Sequence, residues 1–320
     1  MSGNNEKKPL VSIVIPVYNG ANFVKEAIDS ALAQTYHNTE IIVVNDGSND
    51  NGATREVALS YGDNIRYIEK ENGGVSSALN AGIKQMKGTY FSWLSHDDMY
   101  TPEKIERQVN HLKRQKKCVA FCFMDTVNSS SELIKTGSRM PLLKVNEANS
   151  PEIALRQMFS TSSYGGCNFL IPREAFEECG LFDEDLRYVQ DMLMWIRLFI
   201  NGYSLFYNDH HGVLSRVHEG QLTQRGQAIF ETESTQLCEK VLPVLLDNST
   251  RGEKTLYYFT KYNAKYNNKE AVKLCITAAK QKKLFSAKQL IEIKLFYAYG
   301  VFRPVIRRVY YQLFRKMKTK

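Results

Sequence analysis

Two adjacent carboxylates, Asp97 and Asp98, follow a short apolar segment, Tyr90–Leu94, that has the composition of a buried strand. Neighbouring carboxylates at such a place are costly unless a cation lies beside them. Mn²⁺ or Mg²⁺ would suit it, because these ions take a few carboxylate oxygens and complete their shell with substrate phosphates. An isolated pair is more typical of a solvated turn that caps a helix, so the surrounding elements must decide.

Those elements alternate between strand and helix patterns over the first 127 residues, which predicts an α/β fold with a doubly wound, mostly parallel sheet. The predicted strands are 11–17, 40–44, 65–68, 90–94 and 118–123. Ligands of such sheets bind beyond the carboxyl ends of the strands. Tyr18 and Asn19 follow the first strand and Asp46 ends the second, so three strand ends would present polar groups to one crevice. This context favours a nucleotide and metal site over a solvated turn.

The second half of the chain has a different pattern. Residues 128–150 are polar and irregular, which fits either a lid over an acceptor or a plain surface excursion. Beyond them, strand patterns at 167–171 and 203–207 alternate with helical patterns at 172–179 and 191–201. From about residue 224 onward only helical patterns occur. The sequence therefore predicts a mixed domain over residues 1–222 and a helical region over 223–320.

Charge is distributed unevenly along the chain. Residues 281–320 carry eleven Lys and Arg but one acid, Glu292, whereas residues 1–280 carry 31 basic and 33 acidic groups. A body with a net charge of −2 does not favour nucleic acid as a partner, and the net charge of +8 is a property of the tail. No G-x-G-x-x-G follows the first strand, which excludes the usual dehydrogenase fingerprint.

Cysteine usage and the first residues bear on location. The six cysteines form no C-x-x-C pair, so they are expected to be reduced, buried thiols: Cys118, Cys122, Cys167, Cys179, Cys238 and Cys275. The polar start, 1–9, lacks the apolar stretch of a secretory signal. We expect a cytoplasmic protein that could also lie on the inner face of the cell membrane.

Four segments resemble the family 2 glycosyltransferases, and they occur in the order found in that family. They are V-S-I-V-I-P-V-Y-N at 11–19, E-I-I-V-V-N-D-G-S at 40–48, the segment 72–82, and L-S-H-D-D at 94–98. The resemblance extends to about residue 220. It implies a GT-A fold over 1–222, with a nucleotide-binding half at 9–127 and an acceptor half at 150–222. It also implies inverting transfer from a nucleotide-sugar, with UDP expected, to a saccharide or lipid-linked saccharide in polysaccharide or lipopolysaccharide biosynthesis.

The resemblance also implies roles in donor binding. Asp46 would accept a hydrogen bond from N3–H of uracil, a donor that cytosine lacks. Asp97 would contact the ribose or the donor sugar. The remaining residues expected to bind the nucleotide-sugar are Pro16, Tyr18, Asn19, Gly73 and Asn80.

A second set of roles concerns the metal, the base and the acceptor. By the same resemblance, Asp98 would hold Mn²⁺ or Mg²⁺ on the diphosphate, with His218 as a further ligand. Asp191, in Y-V-Q-D-M-L-M-W-I-R-L at 188–198, would deprotonate the acceptor hydroxyl. The residues expected on the acceptor or phosphate side are Gly166, Trp195 and Arg216.

The tail allows two interpretations. Residues 295–315 mix aromatic side chains with four arginines, which is typical of a helix that lies in a membrane interface. The same composition fits a helical bundle that packs its aromatics inward or onto a partner chain. An oligomer is therefore compatible with the sequence.

Two other function classes stay open at this stage. A nucleotidyltransferase could use the same sheet and metal, although Pro16–Gly20 is not the Gly-rich phosphate loop it would favour. A catalytically vestigial binding module could use the basic tail. The intact set of Asp46, Asp97, Asp98 and Asp191 argues against that decay.

Overall fold

The computed structural model describes residues 8–113, 115–161, 164–221, 227–247 and 249–318, and the side chains of the last helix as far as Phe302. The chain forms two compact units. The first comprises Met1–Gln157 and Ser163–Gly226, and the second Met158–Ser162 and Gln227–Lys320. The division into nucleotide-binding and acceptor halves stays a prediction.

The first unit contains a ten-stranded sheet, and its order is β3-β2-β1-β4-β9-β6-β10-β5, with β7 beside β6 and β8 beside β10. The strands are β1 (Val11–Val17), β2 (Thr39–Asp46), β3 (Arg66–Lys70), β4 (Tyr90–Trp93), β5 (Met99–Tyr100), β6 (Cys118–Val127), β7 (Leu133–Lys135), β8 (Ala148–Asn149), β9 (Phe169–Pro172) and β10 (Ser204–Arg216).

Helices lie between these strands along the chain. They are α1 (Val24–Leu32), α2 (Ala53–Leu59), α3 (Val75–Gln85), α4 (Lys104–Leu112), α5 (Pro151–Thr161), α6 (Glu174–Cys179) and α7 (Gln190–Ile200), with 3-10 turns at Gly62–Asn64 and Gly166–Asn168. The predicted α/β fold with a mostly parallel sheet is confirmed.

The central strands form because their sequence is apolar on both faces. Every residue of β1 is buried, and β1 pairs in parallel with β2 on one side and β4 on the other. Burial on both faces is what a continuous β-branched run requires. β9 is antiparallel to both of its neighbours, β4 and β6. The carboxyl ends of β2, β1 and β4 therefore meet at one edge of the sheet.

Two regions differ from the sequence-based expectation. β10 runs from Ser204 to Arg216 rather than ending near residue 207, and it pairs with β6 through an irregular stretch at Tyr207–Val213. The polar residues in that stretch hide the strand pattern. The segment 128–150 contains β7 and β8, so it is partly incorporated into the sheet.

The second unit is helical. Its helices are α8 (Gln227–Asp247), α9 (Ser249–Lys265), α10 (Lys269–Gln281) and α11 (Ala287–Lys318). The thiols of Cys238 and Cys275 lie 3.3 Å apart, and all six cysteines of the chain are free. Within the described ranges, no helix has both the length and the apolar character that a bilayer-spanning segment needs.

Candidate active site

Asp46 ends β2 in a cage of hydrogen-bond donors. The Lys70 ammonium lies 2.7 Å from Oδ1, and the backbone N–H of Gly74 donates to Oδ2 over 2.7 Å. The N–H of Gly73 donates to both oxygens over 3.1 and 3.2 Å. Gly74 has φ +86°, a conformation that glycine adopts without strain. The glycine turn therefore fixes this carboxylate at the edge of the sheet.

The turns after β1 and β2 are joined to each other. Asn19 Nδ2 donates to Asn49 Oδ1 over 2.7 Å, and the Asn49 N–H donates to Asn19 Oδ1 over 2.8 Å. Pro16 is buried within β1, whereas the Tyr18 ring is 43% exposed. The paired turns hold Tyr18 at the strand end with part of its ring accessible, as stacking on a base would require.

Asp98 is a buried carboxylate that is held on both oxygens. The backbone N–H of Arg216 donates to Oδ1 over 2.9 Å, and the thiol of Cys167 lies 3.4 Å from Oδ2. Burial, together with the charge of Asp97, raises the pKa of Asp98 to about 7. A positive charge beside the pair would favour the ionised form and lower this pKa.

Asp97 points to a second set of groups. His218 Nε2 lies 3.1 Å from Asp97 Oδ2, and the His218 ring packs on Phe23 with a centroid distance of 4.8 Å. Gln221 Nε2 donates to the same Oδ2 over 3.4 Å. Asp97, Asp98 and His218 are thus brought together, as the sequence predicted.

Arg216 is enclosed by protein. Its guanidinium donates to the carbonyls of Asp97 and Ser129, both over 2.9 Å, and pairs with Glu26 Oε2 at 2.9 Å. The side chain is fully buried and lies over the Phe23 ring at 4.6 Å. The predicted phosphate contact is not compatible with this arrangement, because the guanidinium faces protein acceptors. The geometry instead makes Arg216 a residue that positions Asp97 and Asp98.

Asp191 lies in the first turn of α7. Its Oδ1 accepts the Met192 N–H over 2.6 Å. Burial raises the pKa of the Asp191 carboxyl to about 6, although the residue remains partly exposed. A carboxylate with such a pKa is a stronger base than an ordinary aspartate and is still ionised at neutral pH.

Contacts between distant segments attach the stretch before α7 to α3. Asn80 on α3 donates to the Phe182 carbonyl over 2.9 Å and accepts the Phe182 N–H over 3.0 Å. Ser76 Oγ donates to the carbonyl of Leu186 over 3.4 Å. Because α3 begins directly after the glycine turn around Asp46, the segment that leads into α7 is attached at the same edge of the sheet. Asn80 is buried, and both ends of its amide contact Phe182. Its predicted contact with the nucleotide-sugar stays a prediction.

Of the two predicted acceptor residues, Trp195 packs in the core, whereas Gly166 is partly exposed and its acceptor role stays a prediction. A Cβ on Gly166 would lie 2.2 Å from the Trp93 ring. Trp195 is buried and stacks on Phe169 with a centroid distance of 4.0 Å. The acceptor contact predicted for Trp195 is therefore not supported, since its helix turns the indole into the core.

The side chains around Asp98 could supply only part of the coordination shell of a divalent metal ion. In the portion of the chain that the structure describes, no group of three or more His, Cys, Asp or Glu side chains is placed to hold a metal ion. Asp97, Asp98 and His218 offer oxygen and nitrogen donors, and Mg²⁺ commonly takes one or two carboxylates with the rest from substrate phosphates and water. The donor set therefore fits an ion that arrives with a diphosphate.

Three partners of these residues were not found from the sequence: Lys70 beside Asp46, Cys167 beside Asp98, and Glu26 beside Arg216. Lys70 had a usable signal, because it ends β3 and stands opposite Asp46 in the parallel register. Cys167 and Glu26 had none, since their contacts depend on how distant loops meet.

The family assignment follows from comparison with known proteins. The sequence profile described as glycosyl transferase family 2 matches residues 12–180. The chain belongs to this family, and it is a glycosyltransferase.

Relatives carry the same assignment. An uncharacterized glycosyltransferase of Rickettsia typhi is 48% identical over 224 residues, 68% of this chain and 67% of the relative. One of Rickettsia felis is 51% identical over 218 residues, 67% of this chain but 35% of the relative. The chain thus spans about a third of the length of the second protein. A chondroitin synthase of Pasteurella multocida is 41% identical over 138 residues, 42% of this chain and 14% of that protein.

Solved structures confirm the type of fold. S. aureus TarS 1-349 superposes with a TM-score of 0.69 at 16% identity, covering 92% of this chain and 91% of that one. The same protein has been solved in complex with UDP (TM-score 0.66; 16% identity, 92% and 91% covered) and with UDP-GlcNAc (0.62; 16%, 85% and 92%). The predicted GT-A fold is confirmed.

Proposed function

We propose that this glycosyltransferase moves a sugar, with inversion, from a UDP-sugar to a saccharide or lipid-linked saccharide during the assembly of a surface polysaccharide or lipopolysaccharide. The observation that carries the proposal is the pairing of two sites: Asp97 and Asp98 beside His218, and Asp191 with its raised pKa at a helix start attached to the same edge of the sheet. TarS, solved with UDP and UDP-GlcNAc, and a chondroitin synthase relative support this donor class and product class.

The nucleotide would bind at the ends of β1 and β2. The accessible Tyr18 ring stacks on the base. The Gly73 N–H is shared between the two Asp46 oxygens over 3.1 and 3.2 Å. N3–H of uracil would take the place of one of these two long contacts.

The diphosphate and the sugar would lie beside Asp97 and Asp98. Asp98, with His218 as a further ligand, would hold Mn²⁺ or Mg²⁺, which would neutralise the charge that develops on the leaving diphosphate. Asp97 would contact the ribose or the donor sugar. Arg216 keeps both aspartates in place through its own N–H and through the Asp97 carbonyl.

Asp191 would take the proton from the acceptor hydroxyl. Inversion needs one base on the face of the sugar opposite the leaving group, and a positioned carboxylate accelerates such a step by about 10²–10⁴-fold. Because Asp191 titrates near pH 6, it is unprotonated at neutral pH and able to act. We place the reaction in the cytoplasm, at the inner face of the cell membrane when the acceptor is lipid-linked.

The test is a screen of UDP-, dTDP- and GDP-sugars, with transfer to a panel of saccharide and lipid-linked acceptors as the readout. We expect turnover with a UDP-sugar that EDTA abolishes and Mn²⁺ restores. Asp191→Asn should still bind UDP by calorimetry yet fail to transfer. Asp185→Asn, the same change at an exposed position six residues earlier, serves as the control. Turnover that is indifferent to EDTA, or undiminished in Asp191→Asn, would rule out the proposed mechanism.

A further inference from the structure

One face of helix α11 is fixed against the rest of the helical unit. Ile293 is buried in a cluster with Ala264 and Val272. A Cβ on Gly300 would lie 2.3 Å from the Ala264 carbonyl oxygen, so the backbones of α9 and α11 approach closely there. These contacts set the rotation of α11 about its own axis.

The opposite face carries large apolar side chains in the open. Ile291, Leu295, Tyr299 and Phe302 are 59%, 64%, 47% and 61% exposed. Their spacing of four, four and three residues places them in a single stripe along the helix. Contiguous apolar surface of this kind usually marks a binding surface on a soluble domain. We call these four residues the α11 stripe.

Basic side chains border the α11 stripe. Lys288 and Lys294 each lie three residues from Ile291, and both are exposed. Glu292, the single acid of residues 281–320, lies within 3.4 Å of the Lys261 ammonium and accepts a hydrogen bond from Tyr257, so its charge is offset within the unit. The surface therefore combines exposed apolar groups with exposed lysines.

We propose that the α11 stripe binds the surface of an anionic lipid bilayer, with the apolar side chains in the headgroup region and the lysines at the phosphates. Apolar residues on one side and lysines that reach towards the headgroups are the features of a helix that lies in the interface plane. A second copy of the chain fits less well, because two stripes brought face to face would oppose their lysines. Binding of a bilayer at this surface does not require sugar transfer.

Vesicle flotation with the full chain tests the proposal. We expect the protein to float with phosphatidylglycerol vesicles and not with phosphatidylcholine vesicles, and to be released as salt is raised. Leu295→Glu should weaken binding about tenfold or more, since it removes apolar contact and adds a repelled charge. Leu59→Glu makes the same change at an exposed helical position of the other unit and should bind as the parent does.

Charge-reversal variants provide a second test of vesicle binding. Lys294→Glu should weaken vesicle binding about tenfold, whereas Lys273→Glu, an exposed position on α10, should not. Equal recovery with both lipids, or Leu295→Glu floating like the parent, overturns the proposal. The proposal also fails if the chain does not bind vesicles but self-associates with rising concentration, and Leu295→Glu abolishes that self-association. Such a result would assign the stripe to a second copy of the chain. Circular dichroism verifies that each variant is folded.

Discussion

The thiol of Cys167 lies 3.4 Å from Oδ2 of Asp98 and is the donor to that oxygen. Cys167 in turn accepts the backbone N–H of Ser95 over 3.2 Å. The thiol thus joins the turn that carries Asp97 and Asp98 to the 3-10 turn Gly166–Asn168. With Oδ1 held by the Arg216 N–H, the carboxylate has a fixed orientation before any ligand binds.

This contact predicts that Cys167→Ala weakens metal binding. Partners that orient a metal ligand typically change affinity by about 10–100-fold when they are removed. We expect a loss of that size in Mn²⁺ affinity, measured in the presence of UDP from the electron paramagnetic resonance signal of the free ion. Cys167→Ser keeps a donor and should recover most of the affinity.

The control for Cys167 is Cys118→Ala, which removes another buried thiol from the same unit. It should leave Mn²⁺ affinity near that of the parent chain. If the two alanine variants bind Mn²⁺ equally well, Cys167 does not position Asp98. If the parent chain binds no Mn²⁺ with UDP, the metal role of Asp98 fails as well.

The position of the Asp97–Asp98 pair at the end of a strand was predictable from the sequence. Motif order and strand ends predict which carboxylates gather at the edge of the sheet, because strand pattern and chain order are local properties. The buried run Val11–Val17 is predicted with its observed bounds for the same reason. Their roles in binding and catalysis remain predictions.

The remaining features depend on contacts between distant segments. The part of β10 after Tyr207 is held as a strand by pairing with β6, although His210, His211 and Gly212 give no strand pattern. Trp195 follows an apolar run that does not reveal which side of the helix is buried. Arg216 has the composition of a phosphate ligand, and its burial against Glu26 and two carbonyls becomes visible only in the fold.

The raised pKa of Asp191 predicts the pH dependence of transfer. Burial raises this pKa to about 6, and the base acts in its ionised form. kcat/KM should therefore rise about tenfold per pH unit below pH 6 and level off above it. The profile is measured at saturating metal, so that protonation of Asp98 does not compete with metal binding. A flat profile between pH 4.5 and 6.5, as approximate limits, would exclude Asp191 as the base.

The same pKa predicts an unusual effect on stability. The folded chain binds the Asp191 proton more tightly than the unfolded chain, whose carboxyl titrates near 3.8. The free energy of unfolding therefore falls as pH rises through this interval, by about 1–3 kcal/mol. Asparagine does not ionise, so the Asp191→Asn chain does not lose this stability as pH rises. It should be more stable than the parent by a similar amount at neutral pH.

Urea denaturation at pH 7.5 and at pH 4 measures the effect of Asp191→Asn. We expect the stability difference from the parent to shrink towards zero at the lower pH, where both side chains are neutral. An asparagine variant that is less stable at neutral pH would show that the carboxylate stabilises the fold instead. If Asp191 is retained for catalysis at a cost in stability, the asparagine variant should be more stable than the parent at neutral pH.

Arg216 gives the last prediction, which separates positioning from phosphate binding. Its guanidinium donates to two carbonyls and to Glu26 from a fully buried position. Arg216→Met leaves those acceptors without a donor, which should lower the free energy of unfolding by roughly 3–5 kcal/mol. Arg216→Lys should recover only part, because an ammonium cannot reproduce the planar fork. Glu26→Gln, at a partly exposed partner, should cost about 0–1 kcal/mol. Urea denaturation without nucleotide measures all three; a stable Arg216→Met chain that has merely lost UDP affinity would restore the phosphate role.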